Sequence, residues 1–171
     1  MRVIPRRIVS STSETIYFDN CLVGAVVKHD HPAELPALAA LFREAAAGTV
    51  TLVASTEVLG EILELPPSYQ GPHFEVYSCL MQLPAANVRW IDTTTSPPTT
   101  VDLDYATLRT ILPDEMDRRH VLHAVKNGVQ NFATVDKKTI LRYSGELESA
   151  FPGTRFGTPT DITTILGIPI I

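Results

Sequence analysis

Short runs of strand type, each separated from the next by a helical pattern, set the limits on how this chain can fold. They are IYF (16–18), TVTLVA (49–54), NVRWID (87–92) and NFATV (131–135). The runs are apolar on both faces instead of alternating with polar residues. Strands of that kind are buried only when helices cover both sides of the sheet. The intervening segments supply those helices. ELPALAALFREAAAG (34–48) ends at a glycine stop. STEVLGEILEL (55–65) starts at Ser55 as its N-cap and ends at Pro66-Pro67. DLDYATLRTIL (102–112) is a helix, and another runs from about Asp114 to Asn127. The segment 68–83 reads as a loop followed by a helix, and the tail ITTILGIPII as short and apolar. The expected architecture is α/β: a doubly wound, three-layer α/β/α domain on a short, mainly parallel sheet.

A chain of 171 residues accommodates one such domain. We assign it to residues 15–171, with 1–14 as an N-terminal extension and TTTSPPTT (93–100) as an internal loop. The 44% hydrophobic and 19% charged content is that of a globular protein, not a disordered one. No apolar run approaches the ~20 residues of a membrane helix. The N-terminal MRVIPRRIVSSTSET has basic residues but no apolar block of the secretory kind. Cys21 and Cys79 form neither a disulfide framework nor a zinc pattern, so the reducing cytoplasm is the expected compartment. A net charge of −5 argues against a general nucleic-acid coat. It leaves room for an enzyme whose bound cations supply positive charge locally.

Sites in parallel sheets form beyond the carboxyl ends of the strands. Asp19 and Asp136 both stand where a strand ends. The helix from Asp114 covers ~20 Å, and the strand 131–135 returns ~17 Å. If the two pack antiparallel across Gly128, Asp117 and Asp136 finish at the same end. Asp117 lies on the packed line of Val121, Ala124 and Gly128, and Glu61 at the border of the apolar arc of its helix. Four carboxylates aimed at one interior edge repel each other and lose hydration. A divalent cation resolves that conflict, and oxygen ligands suit Mg²⁺ or Mn²⁺.

Other polar residues have plainer readings. Asp114, Glu115 and Glu57 are expected to be first-turn charges. His123, His29 and His31 are expected at the surface, and Cys21 as a small buried hydrophobe.

YFDN with Asp19, STEVLGEIL with Glu61, DRRHVLHAVKNG with Asp117 and FATVDKK with Asp136 occur in this order on these elements. In this set the chain resembles the PIN-domain family of metal-dependent nucleases, over most of its length after about residue 15. The resemblance implies phosphodiester hydrolysis, most often of single-stranded RNA, with one or two Mg²⁺ or Mn²⁺ ions. Asp19, Asp117 and Asp136 would be metal ligands, and Glu61 a ligand or the holder of a metal-bound water. Asn20, Thr134 and His120, which sits one turn from Asp117, would support them. Arg118, Arg119, Lys137 and Lys138 would contact phosphate, with ordinary surface ion pairs as the other reading of the two arginines. The family usually places Asn two positions after its first aspartate; here Asn20 is adjacent and Cys21 stands there. A rearranged supporting hydrogen bond and weaker metal affinity are the expected consequence.

Three functions follow from these residues. The first is a metal-dependent ribonuclease of the kind that forms the toxin half of a toxin–antitoxin pair, with a protein antitoxin as partner. The second is a PIN-like module that binds RNA or protein without cleaving. The third, a phosphatase-like domain using Asp19 as nucleophile, ranks last, because it wants a second aspartate where Cys21 stands. The apolar segments ILGIPII and LPPSYQGPHF point to a homodimer or another protein partner.

Overall fold

The computed structural model describes residues 13–93 and 102–171. All but Thr93 of the expected internal loop 93–100, and nearly all of the expected N-terminal extension, lie outside the described residues. Five strands form one sheet: β1 (Glu14–Phe18), β2 (Val50–Ser55), β3 (Val88–Ile91), β4 (Asn131–Ala133) and β5 (Arg155–Gly157). Every pairing is parallel, in the order β3-β2-β1-β4-β5. Among the described residues the α-helices before β3 are α1 (Asn20–Lys28), α2 (Leu35–Ala47), α3 (Thr56–Glu64) and α4 (Pro67–Met81). After β3 come α5 (Leu103–Ile111), α6 (Glu115–Lys126), α7 (Ser144–Ala150) and α8 (Pro159–Leu166).

The strands are apolar on both faces because both faces are covered. Ile16, Phe18, Leu52, Ala54 and Ala133 pack against Leu22, Leu41, Val58, Leu80 and Ile162 from α1, α2, α3, α4 and α8. Tyr17, Val53, Phe132 and Phe156 pack on the other side against Leu108, Leu122 and Leu147 from α5, α6 and α7. Tyr17, Phe132 and Phe156 stack across three neighbouring strands. Each such large side chain contributes roughly 1.5–3 kcal/mol by leaving water. The domain is therefore α/β in three layers, as the strand pattern requires. No helix among the described residues is long and apolar enough to cross a membrane.

Chain order places the site. From β1 the chain winds outward through β2 and β3, then returns to add β4 and β5 on the other side of β1. The order reverses between β1 and β4, and ligands of open α/β sheets enter at such a reversal.

Three elements differ from the sequence expectation or go beyond it. Residues 67–81 are one helix, although Gly71-Pro72 reads as a loop. An interior proline disfavours a helix by about 3 kcal/mol. Here His73, Tyr77 and Leu80 bury one face, and Gln70 Nε2 donates to the carbonyls of Leu63 and Leu65 at the end of α3. The helix α1 begins directly after Asp19 and ends with His29 in the left-handed region, without the usual glycine. Finally, β5 and α8 occupy a stretch in which the sequence shows only an apolar tail. α8 is opened by a capping box in which Thr158 and Asp161 bond each other's backbone N–H. Of the tail, Ile168 packs on the core, whereas Ile170 and Ile171 are exposed.

Removing the cap tests whether the last helix is held this way. Thr158→Ala is expected to lower unfolding free energy by about 1 kcal/mol in a urea titration. An unchanged midpoint would mean that the box contributes nothing.

Candidate metal centre at the sheet edge

Asp19 stands at the capping position of α1, yet its carboxylate bonds no helix N–H. It turns inward, is 3% exposed, and accepts the Thr134 hydroxyl at 2.8 Å. Thr134 follows β4, so this bond joins the ends of the two strands at the chain reversal. Burial raises the Asp19 pKa above its ordinary value, and Glu61 adds to the rise; His120 and the Thr134 bond act in the opposite sense. A carboxylate that caps nothing, sits under the surface and is short of cations is a costly structural ornament.

Its nearest polar neighbours are Glu61 from α3 and His120 from α6. Ligand atoms of Asp19, Glu61 and His120 all lie within 4.8 Å of one another. His120 is 1% exposed and spans two partners. Glu61 can only accept, so His120 Nε2–H donates to it at 3.0 Å. His120 Nδ1 is 2.8 Å from the Tyr17 hydroxyl, which in turn meets Ser55 Oγ at 2.5 Å. Burial pulls the His120 pKa down, but the Glu61 hydrogen bond and the charges of Asp19 and Glu61 outweigh it, and the net direction is up. The ring thus sits between the carboxylates of the cluster and the Tyr17 hydroxyl. Its partner is Glu61, not Asp117 as the one-turn spacing suggests. Ser55 likewise starts α3 without capping it, because its hydroxyl is engaged with Tyr17.

Asp117 and Asp136 face the same edge from outside this trio. Burial pushes the Asp117 carboxyl up to about 6; a hydrogen bond from Thr139 opposes the rise, and the charges of Asp114, Asp19 and Asp136 add to it. The antiparallel return of α6 and β4 does bring these carboxylates together. Asp136, however, is tied into its own turn. Its Oδ1 accepts from the N–H groups of Lys138 and Thr139 at 2.8 and 3.1 Å, and its Oδ2 from the Thr139 hydroxyl. Asp114 behaves as a helix start, accepting from the N–H groups of Met116 and Asp117.

The expected phosphate contacts divide. Lys137 and Lys138 line a cleft of about 470 Å³ together with Asp136, Asn20 and Cys21. Arg118 is instead bonded to the carbonyls of Leu112 and Pro113. Arg119 grips Glu57 through Nη2 at 2.7 Å and Nε at 3.0 Å. Glu57 is 6% exposed, so it is a buried partner and not a solvated first-turn charge. His123 is also buried, 3.6 Å from Glu57, and burial lowers its pKa. Both residues differ from expectation for one reason: α3 packs beside α6, which closes over faces that look solvated on either helix alone. Cys21, expected inside, is exposed, and the Asp19 charge raises its pKa, followed by burial of the thiol and Asp136.

The donor chemistry fits a divalent cation. Two carboxylates and an imidazole converge, burial and like-charged neighbours raise the pKa of a third carboxyl, Asp117, and Asn20 Oδ1 is buried without a donor. Both ring nitrogens of His120 are engaged with Glu61 and Tyr17, so the ligands on offer are carboxylate oxygens, which suit Mg²⁺ or Mn²⁺. No known protein family, curated protein or solved structure matches the chain.

Sequence reasoning missed the Tyr17–Ser55 contact and the Glu57–Arg119–His123 group. The first depends on β1 lying beside β2 and the second on α3 meeting α6, although a tyrosine two residues before a strand-end aspartate was a visible hint of a polar floor.

The crowding of charge at Asp117 has a pH signature. Its folded pKa of about 6 lies above the ordinary 3.8, so the proton favours the fold. Stability from this group is complete below 3.8 and is lost as pH rises through about 6. In EDTA, Asp117→Asn is expected to melt like the parent at low pH and above it at neutral pH. Melting curves from pH 4 to 8 that stay parallel for the two proteins would contradict this assignment.

Proposed function

We propose that the protein is a PIN-like, Mg²⁺- or Mn²⁺-dependent endoribonuclease that hydrolyses phosphodiester bonds in single-stranded RNA. The observation that carries this reading is the buried Asp19 carboxylate at the chain reversal, which caps no helix and lies in reach of Glu61 and His120. Asp19 and Glu61 would hold the cation, with Asp117 completing the site. Asp136 would act at its rim through the oxygen capacity that its turn leaves free. When bound, a divalent ion supplies an activated water and stabilises negative charge on the phosphate and leaving oxygen.

The chain's own residues do the rest. Thr134 fixes the orientation of Asp19, and the Tyr17–His120 bond holds Glu61 in place. Lys137 and Lys138, on the cleft beside Asp136, offer positive charge to the RNA backbone. Cellular RNA as substrate makes the cytoplasm the place of action. A protein antitoxin or a second copy would find apolar surface at Leu63, Met81 and Trp90, all exposed.

One observation favours a second reading, a PIN-like module that binds RNA or protein without cleaving. Asp136 is committed to its turn, and the family's usual asparagine position holds Cys21. Both weaken a metal site.

Labelled single-stranded RNA, incubated with Mg²⁺, Mn²⁺ or EDTA, separates the two. Cleavage is expected with either metal and not in EDTA. Asp19→Asn should abolish it, and Thr134→Val should lower it by roughly 10- to 100-fold, as for a residue that orients a ligand. RNA that is bound but left intact with every metal would replace the nuclease by the binding module.

A further inference from the structure

Ser55 ends β2 and occupies the capping position of α3, yet its side chain bonds no helix N–H. A serine there ordinarily accepts from the first turn and stabilises the helix. Here the hydroxyl is fully buried and lies 2.5 Å from that of Tyr17, which is fully buried as well. The Ser55 carbonyl accepts from the Tyr77 hydroxyl at 3.2 Å. The residue is thus held by two tyrosines at a place where a helix start would use it. The reason lies in what Tyr17 touches next.

The Tyr17 hydroxyl is 2.8 Å from His120 Nδ1, and His120 Nε2–H donates to Glu61 at 3.0 Å. This chain of bonds leaves the start of α3, crosses β1 and α6, and returns to α3 at Glu61. The donor inventory fixes the polarity of each link. Glu61 as a carboxylate only accepts, so Nε2 keeps its proton whether or not the ring is charged. With a neutral ring, Nδ1 accepts from Tyr17, and the Tyr17 oxygen accepts from Ser55. With a protonated ring both links reverse, and the Ser55 oxygen accepts from Tyr17. In either case the phenol needs a second partner at a depth that bulk solvent does not reach. A small hydroxyl, able both to give and to take a proton, meets that need in both states.

We infer that Ser55 is a positioning residue of the metal centre, acting on Glu61 through Tyr17 and His120. The inference rests on the reading of Glu61 as a cation ligand and extends that site to a residue two side chains behind it. With Ser55 in place the ring of His120 is held at both nitrogens, and Glu61 is presented to Asp19 in one orientation. Without it the Tyr17 hydroxyl is short of a partner. Bonds in such a chain polarise one another, so a loss at one end is felt at the other.

The test uses the full chain, Ser55→Ala, Tyr17→Phe and the double variant. Ser55→Ala breaks no cap bond, and Tyr17→Phe keeps the ring that stacks on Phe132. Melting in EDTA checks that each variant folds. Mn²⁺ affinity, read by titration calorimetry, is expected to fall by about 10-fold in each single variant and no further in the double one. In EDTA, the NMR resonances of the His120 ring nitrogens and the Glu61 carboxyl carbon should move in Ser55→Ala. They should not move further when Ser55→Ala is added to Tyr17→Phe. Parent-like affinity and resonances in Ser55→Ala would overturn the inference. So would losses that multiply in the double variant, which mark two independent structural effects. A parent that binds no Mn²⁺ would overturn it together with the metal centre. Coupled losses of affinity in a protein that leaves RNA intact would remove the nuclease and keep the positioning role. Metal-dependent cleavage that Ser55→Ala leaves unchanged would do the reverse.

Discussion

The Thr134 hydroxyl reaches across the point where the sheet changes direction and donates to Asp19, a carboxylate with almost no contact with water. That bond joins the ends of β1 and β4, which arrive from opposite windings of the chain. A negative charge in such a place is tolerated only where donors or cations meet it. Here Thr134 supplies one donor, and the His120 ring lies close by. The rest of the edge is arranged around that need. Tyr17, the residue of β1 on the opposite face from Ile16 and Phe18, provides a hydroxyl for His120 to rest on. Glu61 fixes the other side of the ring.

The same logic explains how α3 and α6 are held. Glu57, Arg119 and His123 form a second polar group one turn away from Glu61 and His120. Breaking a buried ion pair leaves an uncompensated charge and is far more damaging than its absence from the start. The two helices are thus locked in register by polar contacts, and that register delivers Glu61 to Asp19. Asp117, on the first turn of α6, is brought in by the same helix, and burial together with the like charges around it raises its pKa. Asp19, Glu61 and His120 thereby come within reach of one another at this edge.

The layer order, the parallel sheet and the edge that carries Asp19 and Asp136 could all be read from the sequence. The reason is simple: strands apolar on both faces have only one way to be buried, and chain reversal places their ends. Helix phase also put Asp117 on the packed side and separated it from Asp114, which caps. What the sequence hid was pairwise. Glu57 and His123 look solvated on their own helices and become buried only because the helices meet. His120 chose Glu61 over Asp117 because a neighbouring helix offered a closer acceptor than its own preceding turn. Asp136 took up its turn through Thr139, three residues on, a contact that resembles any Asx turn. Helix α1 escaped notice because NCLVGAVV is as β-branched and apolar as a strand, and its left-handed end falls on a histidine. Short strands such as β5, with three residues, carry too little pattern to be seen.

The central claim is that the carboxylates at the reversal of the sheet form a cation site with Asp19 at its heart. A ligand that binds only the folded state raises its stability by mass action, about 2.7 kcal/mol at a hundredfold excess over Kd. The direct measurement is a Mn²⁺ titration followed by thermal melting, for the parent and for Asp19→Asn, with EDTA as the starting point. The account predicts a saturating rise in Tm for the parent and little or none for the variant. A parent that does not respond, or a variant that rises equally, would contradict it.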